Sequence, residues 1–154
     1  MKNIYLPSLE TYTPQEVSII YKRPLFNSMI HIHSLSDSVK YLRMFIDQDR
    51  IDYKEFFWVL LLNNTNRLIA FSEVGMGTDS GVVINHKEIF QLILRTNAKR
   101  FIVAHNHPSG QLKASKKDVE ETHKIREVAN FIAVELLDHI IITSESYASI
   151  LEDS

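Results

Sequence analysis

The stretch from Phe101 to Asp118 reads FIVAHNHPSGQLKASKKD, and its order of residue types indicates how the chain folds. The apolar run Phe101–Ala104 predicts a short buried strand. The segment His105–Ala114 contains a proline and a glycine, which predicts a loop, and Ser115 is a suitable N-cap for a helix. Because α/β proteins hold their sites at the carboxyl ends of strands, this loop is the first place to look for function.

Strand and helix patterns also flank this stretch. Phe56–Leu62 is continuously apolar and predicts a strand buried on both faces. Arg67–Val74 predicts its antiparallel partner across an asparagine-rich turn. The other predicted elements are an edge strand around Met29–His33, helices from Ser36, from Asn85 or His86 and from Ser115, a flexible connection through Gly75–Gly81, and a last strand over Glu135–Thr143. This order predicts an α/β fold with helices packed on a mixed sheet.

The composition is that of one globular domain. The chain has 154 residues, of which 45% are hydrophobic and 23% charged. We expect a lead segment, 1–35, rich in Pro, Ser and Thr, followed by the main domain, 36–154. No apolar run is long enough to span a bilayer, and the polar start does not resemble a signal peptide, so we expect a cytoplasmic protein without membrane attachment.

Charge and cysteine content exclude several classes of function. A net charge of −2 does not provide the broad positive field of a dedicated nucleic-acid binder. The chain has no cysteine, which excludes disulfides, a thiolate nucleophile and every cysteine-based zinc site, including that of the zinc deaminases. Any metal must therefore be held by nitrogen and oxygen ligands.

Three residues of the central stretch form a candidate metal site. In an extended segment, residues i and i+2 point to the same side, so His105 and His107 can present both imidazoles to one ion. Asp118 lies one turn inside the predicted helix and can supply a third ligand. Two neutral imidazoles and a carboxylate suit zinc and leave its fourth position for water. Zinc lowers the pKa of a bound water to about 7, which makes hydrolysis accessible near neutral pH.

Each part of this pattern also has a structural interpretation. A His-x-His pair is common on exposed strands, and Ser115-x-x-Asp118 matches a capping box that satisfies backbone N–H groups. The joint pattern favours the metal, because a buried strand, the histidine pair, a Pro/Gly turn and Ser-x-x-Asp follow one another directly.

The same pattern resembles a known family. His-x-His, a short loop and Ser-x-x-Asp are similar to the JAMM (JAB/MPN) metalloprotease motif. The string AHNHPSG at 104–110, with LLDHIIIT at 136–143, resembles the RadC-like branch. The resemblance extends from about Phe56 to Tyr147. It implies a three-layer α/β/α sandwich of the cytidine-deaminase type, Zn²⁺ on His105, His107 and Asp118, Ser115 as oxyanion stabiliser, and an upstream glutamate as general acid/base.

Glu73 is our assignment for that glutamate, because it lies at the end of the second predicted strand, just before Gly75. Glu55 precedes its strand, and Glu88 lies in the first turn of a helix, where the helix dipole explains it. The sequence departs from the branch in two respects. We expect no N-terminal helix-hairpin-helix region, and the loop at 111–114 is less proline-rich than in typical members.

Other polar residues have structural explanations. We expect the second His-x-His, His31 and His33, on an exposed strand face, and His139 in the core, with a contact to a metal ligand as the alternative for His139. The basic residues near the site are interpreted as solvated, or else as a rim for an acidic partner; they are Lys99, Arg100, Lys113, Lys116 and Lys117.

The sequence therefore predicts a zinc-dependent hydrolase that acts on an amide, peptide or isopeptide bond. The alternative is a DNA-associated accessory protein in repair or recombination without protease activity. A purely structural zinc site is disfavoured, because such sites normally have four protein ligands. Neither the substrate nor the oligomeric state follows from the sequence.

Overall fold

The computed structural model of the protein describes residues 14–78 and 81–151. None of the helices in these two ranges is long and apolar enough to cross a membrane. Short 3₁₀ turns lie at Phe26–Ser28 and Gln48–Arg50. The main elements are α1 (Leu35–Phe45), β1 (Phe56–Leu62), β2 (Leu68–Thr78), β3 (Gly81–Val82), α2 (His86–Arg95), β4 (Arg100–Asn106), α3 (Lys116–Phe131), β5 (Glu135–Ile142) and β6 (Tyr147–Ser149).

The strands form one mixed sheet in the order β3-β2-β1-β4-β5-β6. Only β4 and β5 are parallel, and α3 makes the crossover between them. One apolar cluster joins α2 and α3 to one face of the sheet, and a second joins α1 to the other face. The predicted three-layer α/β/α sandwich with a mixed sheet is confirmed.

The central strand β1 is buried along its whole length, as its apolar run predicts. Its side chains alternate between the two clusters: Phe57, Val59 and Leu61 pack beneath α2 and α3, whereas Phe56 and Trp58 pack beneath α1. This alternation assigns each neighbouring residue of the sheet to one face, and it decides below which glutamate faces the candidate site.

Several boundaries differ from the predictions for local physical reasons. Helix α1 begins at Leu35 rather than Ser36, because the Ser34 side chain accepts a hydrogen bond from the Asp37 N–H. The predicted edge strand at Met29–His33 is reduced to a single bridge between His31 and Arg67. Strand β6 is short and partly polar, and no periodic pattern predicts it.

The glycine-rich connection after Val74 is largely a continuation of β2. Gly77 lets this strand approach the start of β1 closely, since a Cβ there would lie 3.0 Å from the Glu55 carbonyl oxygen. The Gly77 N–H donates to that oxygen at 2.6 Å. Residues 1–13 of the predicted lead segment and residues 79–80 of the predicted connection lie outside the described residues.

Ala133 provides a test of the end of α3. It has a φ of 55°. The Val134 N–H donates to the Ala129 carbonyl oxygen and the Ala133 N–H to that of Asn130, which is the pattern of a Schellman motif. Because a left-handed backbone costs an L-residue about 1–2 kcal/mol, we expect Ala133→Gly to stabilise the protein by about 1 kcal/mol. Thermal unfolding should show a Tm higher by about 2–4 °C. Ala129→Gly, in the helix proper, should lower the Tm; an unchanged or lower Tm for Ala133→Gly would contradict the motif.

Candidate metal centre

The two histidines of the central motif lie side by side at the end of β4. His105 is 3% exposed and belongs to the strand, and His107 is half-buried just beyond it. The His107 N–H donates to the Ile142 carbonyl oxygen at 3.1 Å, which keeps the backbone extended past the end of the strand. Residues i and i+2 therefore share a side, and the two Nε2 atoms are 2.9 Å apart.

Asp118 reaches the same point from the first turn of α3. The Ser115 Oγ accepts a hydrogen bond from the Asp118 N–H at 3.1 Å, and the Asp118 Oδ2 accepts one from the Ser115 N–H at 2.7 Å. The predicted capping box is confirmed. It also orients the carboxylate, because Asp118 Oδ1 lies 3.4 Å from His105 Nε2 and Oδ2 lies 3.5 Å from His107 Nε2.

These separations fit a zinc ion. Two ligand atoms at about 2.0–2.1 Å from a tetrahedral zinc are about 3.3 Å apart. The three ligand pairs of the structure are separated by 2.9, 3.4 and 3.5 Å. His105, His107 and Asp118 therefore form a group able to hold a metal ion. Imidazole and carboxylate ligands are suitable for zinc and for other divalent transition metals.

The electrostatics of the three residues favour a cation. Burial alone would raise the pKa of Asp118, but hydrogen bonds with His105 and His107 lower it far below its usual range, so the carboxylate stays ionised. The hydrogen bond with Asp118 raises the pKa of His107. As the pH falls, a proton therefore competes with a metal ion for the same imidazole.

The group opens into a cavity of about 330 Å³. Its walls include Glu55 and Phe57 from the start of β1, Ser115 from the start of α3, and two basic side chains, Lys113 and Lys117. Glu55 lies two residues before Phe57, which is paired with His105 across the sheet, so Glu55 shares the face of the metal ligands. The Glu55 carboxylate also contributes to the raised pKa of His107.

Glu73 does not lie at this site. It is paired with Trp58, one residue along β1 from Phe57, and therefore lies on the opposite face of the sheet. Its Oε2 accepts a hydrogen bond from the Trp58 Nε1–H at 3.3 Å, and Arg50 lies 3.5 Å away as its ion-pair partner. The structure thus brings together four of the five predicted site residues and separates Glu73 from them, because its position in the strand turns it toward α1.

Glu88, the other glutamate we weighed, does not line the cavity either. It lies in the first turn of α2, where its N–H donates to the side chain of the N-cap Asn85. A count of two places Glu55 on the same face as Phe57, but this face is identified as that of the metal group only by the pairing of Phe57 with His105.

Three buried polar residues, His139, Thr122 and Asn106, lie directly beside the metal group. His139 is buried, as expected, and it lies 2.8 Å from His105 through their ring nitrogens, so it contacts a member of the candidate metal group. Thr122 contacts His139 at 2.6 Å. Asn106, between His105 and His107, hydrogen-bonds to the backbone of the first residue of β1 and of the segment before it. Burial lowers the pKa of His139 well below its usual value, which favours the neutral form of this ring.

The second histidine pair lies away from the metal group, whereas the basic residues are divided between its cavity and other surfaces. His31 and His33 contact each other at 2.8 Å and do not line the cavity of the metal group. The basic residues form no single rim. Lys113 and Lys117 line the cavity and Lys116 pairs with Glu120, whereas Lys99 and Arg100 lie at the other end of β4, about 16 Å away along the strand.

A mixed sheet between helical layers, with a His-x-His pair and a helix-borne aspartate converging at one end, defines a JAB-type domain. The chain belongs to the RadC-like JAB domain family, whose model matches residues 32–154. The resemblance identified from the sequence is thereby confirmed.

Relatives across bacteria agree with this membership. A UPF0758 protein of Staphylococcus haemolyticus is 39% identical over 128 residues, which are 83% of this chain and 55% of the relative. One from Fusobacterium nucleatum is 39% identical over 140 residues, 88% of this chain and 60% of the relative. One from Coprothermobacter proteolyticus is 33% identical over 138 residues, 87% of this chain and 59% of the relative. The chain thus spans little more than half the length of these relatives, and their names state no activity.

Proposed function

We propose that the protein is a zinc-dependent hydrolase that cleaves an amide bond of peptide or isopeptide type. The observation that carries this proposal is the convergence of two imidazole nitrogens and a carboxylate oxygen in an open cavity that also contains Glu55. Three protein ligands in an open cavity are typical of catalytic zinc, whereas structural zinc is normally enclosed by four.

Glu55 is the residue we propose as general acid/base. His105, His107 and Asp118 would hold the zinc ion, which would supply the Lewis acidity that activates water near neutral pH. The Glu55 carboxylate would take a proton from the attacking water as the water oxygen bonds to the scissile carbonyl carbon, and it would pass that proton to the amide nitrogen as the C–N bond breaks. This role needs a glutamate in the cavity of the metal group, and two glutamates line it, Glu55 and Glu121. Glu121 is already paired with His86 at 2.6 Å and with Lys124 at 3.1 Å, so we assign the role to Glu55.

Ser115 retains the role proposed from the motif. Its hydroxyl oxygen accepts the Asp118 N–H as a helix cap, and its side chain lines the cavity beside the metal ligands. A hydroxyl group accepts and donates at once, so the same side chain has a hydrogen to offer to the oxyanion that develops on the scissile carbonyl.

Metal content and its dependence on His107 test the proposal. We expect the purified protein to bind about one equivalent of zinc, because three ligands converge on one point. Replacing His107 with alanine should abolish stoichiometric binding, measured by metal analysis after dialysis. His123→Ala is the matched control, since His123 is exposed on α3 and should leave the zinc content unchanged.

Activity completes the same experiment. The zinc-loaded protein should cleave members of a library of fluorogenic peptides and lysine-linked isopeptides, and a chelator should stop the reaction until zinc is restored. Zinc bound at one equivalent without hydrolysis of any amide in the library would count against the catalytic proposal, and unchanged zinc in His107→Ala would count against the site itself.

A further inference from the structure

We infer that Thr122 and His139 are positioning residues that fix the proton arrangement of His105, so that its Nε2 presents a lone pair to the metal. The inference rests on the proposed metal site and concerns residues outside the ligand set. It assigns a direction to a chain of buried hydrogen bonds that runs behind the ligands.

The chain of contacts is continuous from β4 through β5 to α3. His105 Nδ1 lies 2.8 Å from His139 Nε2, and His139 Nδ1 lies 2.6 Å from Thr122 Oγ1. The Thr122 Oγ1 lies 2.7 Å from the Asp118 carbonyl oxygen. The three side chains are at most 4% exposed, so water does not substitute for any of these partners.

The series of hydrogen bonds ends at a group that can only accept, the Asp118 carbonyl oxygen. The Asp118 carbonyl oxygen accepts and never donates, so the single hydroxyl hydrogen of Thr122 is directed to it. Thr122 Oγ1 is then an acceptor, which places a proton on His139 Nδ1. A neutral imidazole with a proton on Nδ1 has its lone pair on Nε2. His139 Nε2 therefore accepts from His105 Nδ1–H, and the lone pair of His105 is left on Nε2.

The reversed arrangement is incompatible with the metal. If Thr122 donated to His139 Nδ1, His139 would donate from Nε2 to His105 Nδ1. The His105 proton would then lie on Nε2, the atom that faces His107 and Asp118 at 2.9 and 3.4 Å. A protonated nitrogen does not bind a metal ion. A side chain without a hydroxyl group at position 122 would favour neither arrangement of protons on His139 and His105.

The geometry also couples the two halves of the site. Asp118 contacts both ends of this series of hydrogen bonds. Its carbonyl oxygen accepts from Thr122, and its carboxylate lies beside His105. Phe57 packs against both imidazole rings. Its ring is stacked on that of His105, with the centroids 6.1 Å apart, and is edge-on to that of His139, with the centroids 5.4 Å apart. Partners of this kind, which orient a ligand without touching the metal, typically contribute 10- to 100-fold to metal affinity.

Zinc affinity in threonine variants is the first test. Thr122→Val keeps the shape of the side chain and removes the hydroxyl, so we expect zinc binding, measured by competition with a chromophoric chelator, to weaken by at least about 10-fold. Thr122→Ser restores the hydroxyl and should bind within about 3-fold of the unchanged protein. Thr96→Val is the matched control, because the Thr96 hydroxyl makes the same bond to the carbonyl of Leu92, away from the site; its zinc affinity should not change.

The proton positions are the second test, and they need no variant. Imidazole ¹⁵N–¹H NMR of the zinc-loaded protein should show His105 and His139 both protonated at Nδ1, with His139 Nε2 unprotonated. A proton on His139 Nε2, or equal zinc affinity in Thr122→Val and the unchanged protein, would overturn the inference while leaving the zinc site intact. A protein that bound no zinc at all would overturn the inference together with the proposed function.

Discussion

Glu55→Gln is expected to lower metal-dependent hydrolysis by about 100- to 10,000-fold, the range typical for loss of a general acid/base. Glutamine keeps the size of the side chain and one acceptor oxygen but cannot take a proton from water. Glu55 is not among the three residues that form the metal group, so the zinc content should remain at about one equivalent. The measurements are kcat/KM on an amide that the unchanged protein cleaves, and metal analysis of the same samples.

Glu73→Gln is the matched control for this experiment. Glu73 contacts Trp58 and Arg50 on the opposite face of the sheet, so its replacement should change kcat/KM by no more than about 3-fold. The opposite result, a large loss with Glu73→Gln and full activity with Glu55→Gln, would mean that the acid/base acts from outside the cavity and that our assignment of Glu55 fails.

The pair of glutamates shows where prediction from sequence stops. The strand containing Glu73 was predicted correctly, because a run of β-type residues after an asparagine turn is a local signal. The face of a residue depends on the register between strands, and one position along β1 separates the partner of His105 from the partner of Glu73. Glu73 fits the local pattern, but the register places it on the face of the sheet opposite the metal group.

The metal ligands were predictable for the complementary reason. His105 and His107 are two residues apart in one extended segment, and Asp118 is placed by a capping box that is itself readable from the sequence. All three positions depend on local geometry. The supporting residues Thr122 and His139 lie on different elements and meet only through the packing of α3 on β5, so no spacing along the chain indicates their contact.

Asn106 also makes contacts that no spacing along the chain indicates, and we expect its replacement to have a large effect on stability. It is fully buried between His105 and His107 and points to the other face of the sheet. Its Oδ1 accepts from the Phe56 N–H at 2.6 Å, and its Nδ2 donates to the carbonyl oxygens of Ile51 and Lys54 at 2.6 and 2.7 Å. These partners lie on both sides of Glu55, so the side chain holds the backbone from which Glu55 enters the cavity.

Asn106→Asp should therefore impair both folding and catalysis. A carboxyl group has at most one hydrogen to offer to two carbonyl oxygens, and each unsatisfied buried group costs about 1–3 kcal/mol. We expect a loss of about 3 kcal/mol in the free energy of unfolding, measured by urea denaturation, and a Tm lower by about 6–12 °C. Asn64→Asp, in the exposed turn before β2, should change the free energy by less than about 0.5 kcal/mol.

The kcat of the same variant distinguishes a role of Asn106 in positioning Glu55 from a general contribution to stability. At a temperature where the variant remains folded, kcat should fall because Glu55 is no longer held at a fixed position, since small displacements of a catalytic group can cost about 100-fold in rate. A variant with full kcat and a free energy of unfolding within about 1 kcal/mol of the unchanged protein would show that the segment before β1 keeps its position without Asn106. The asparagine of the His-x-His motif would then have no part in placing the general base.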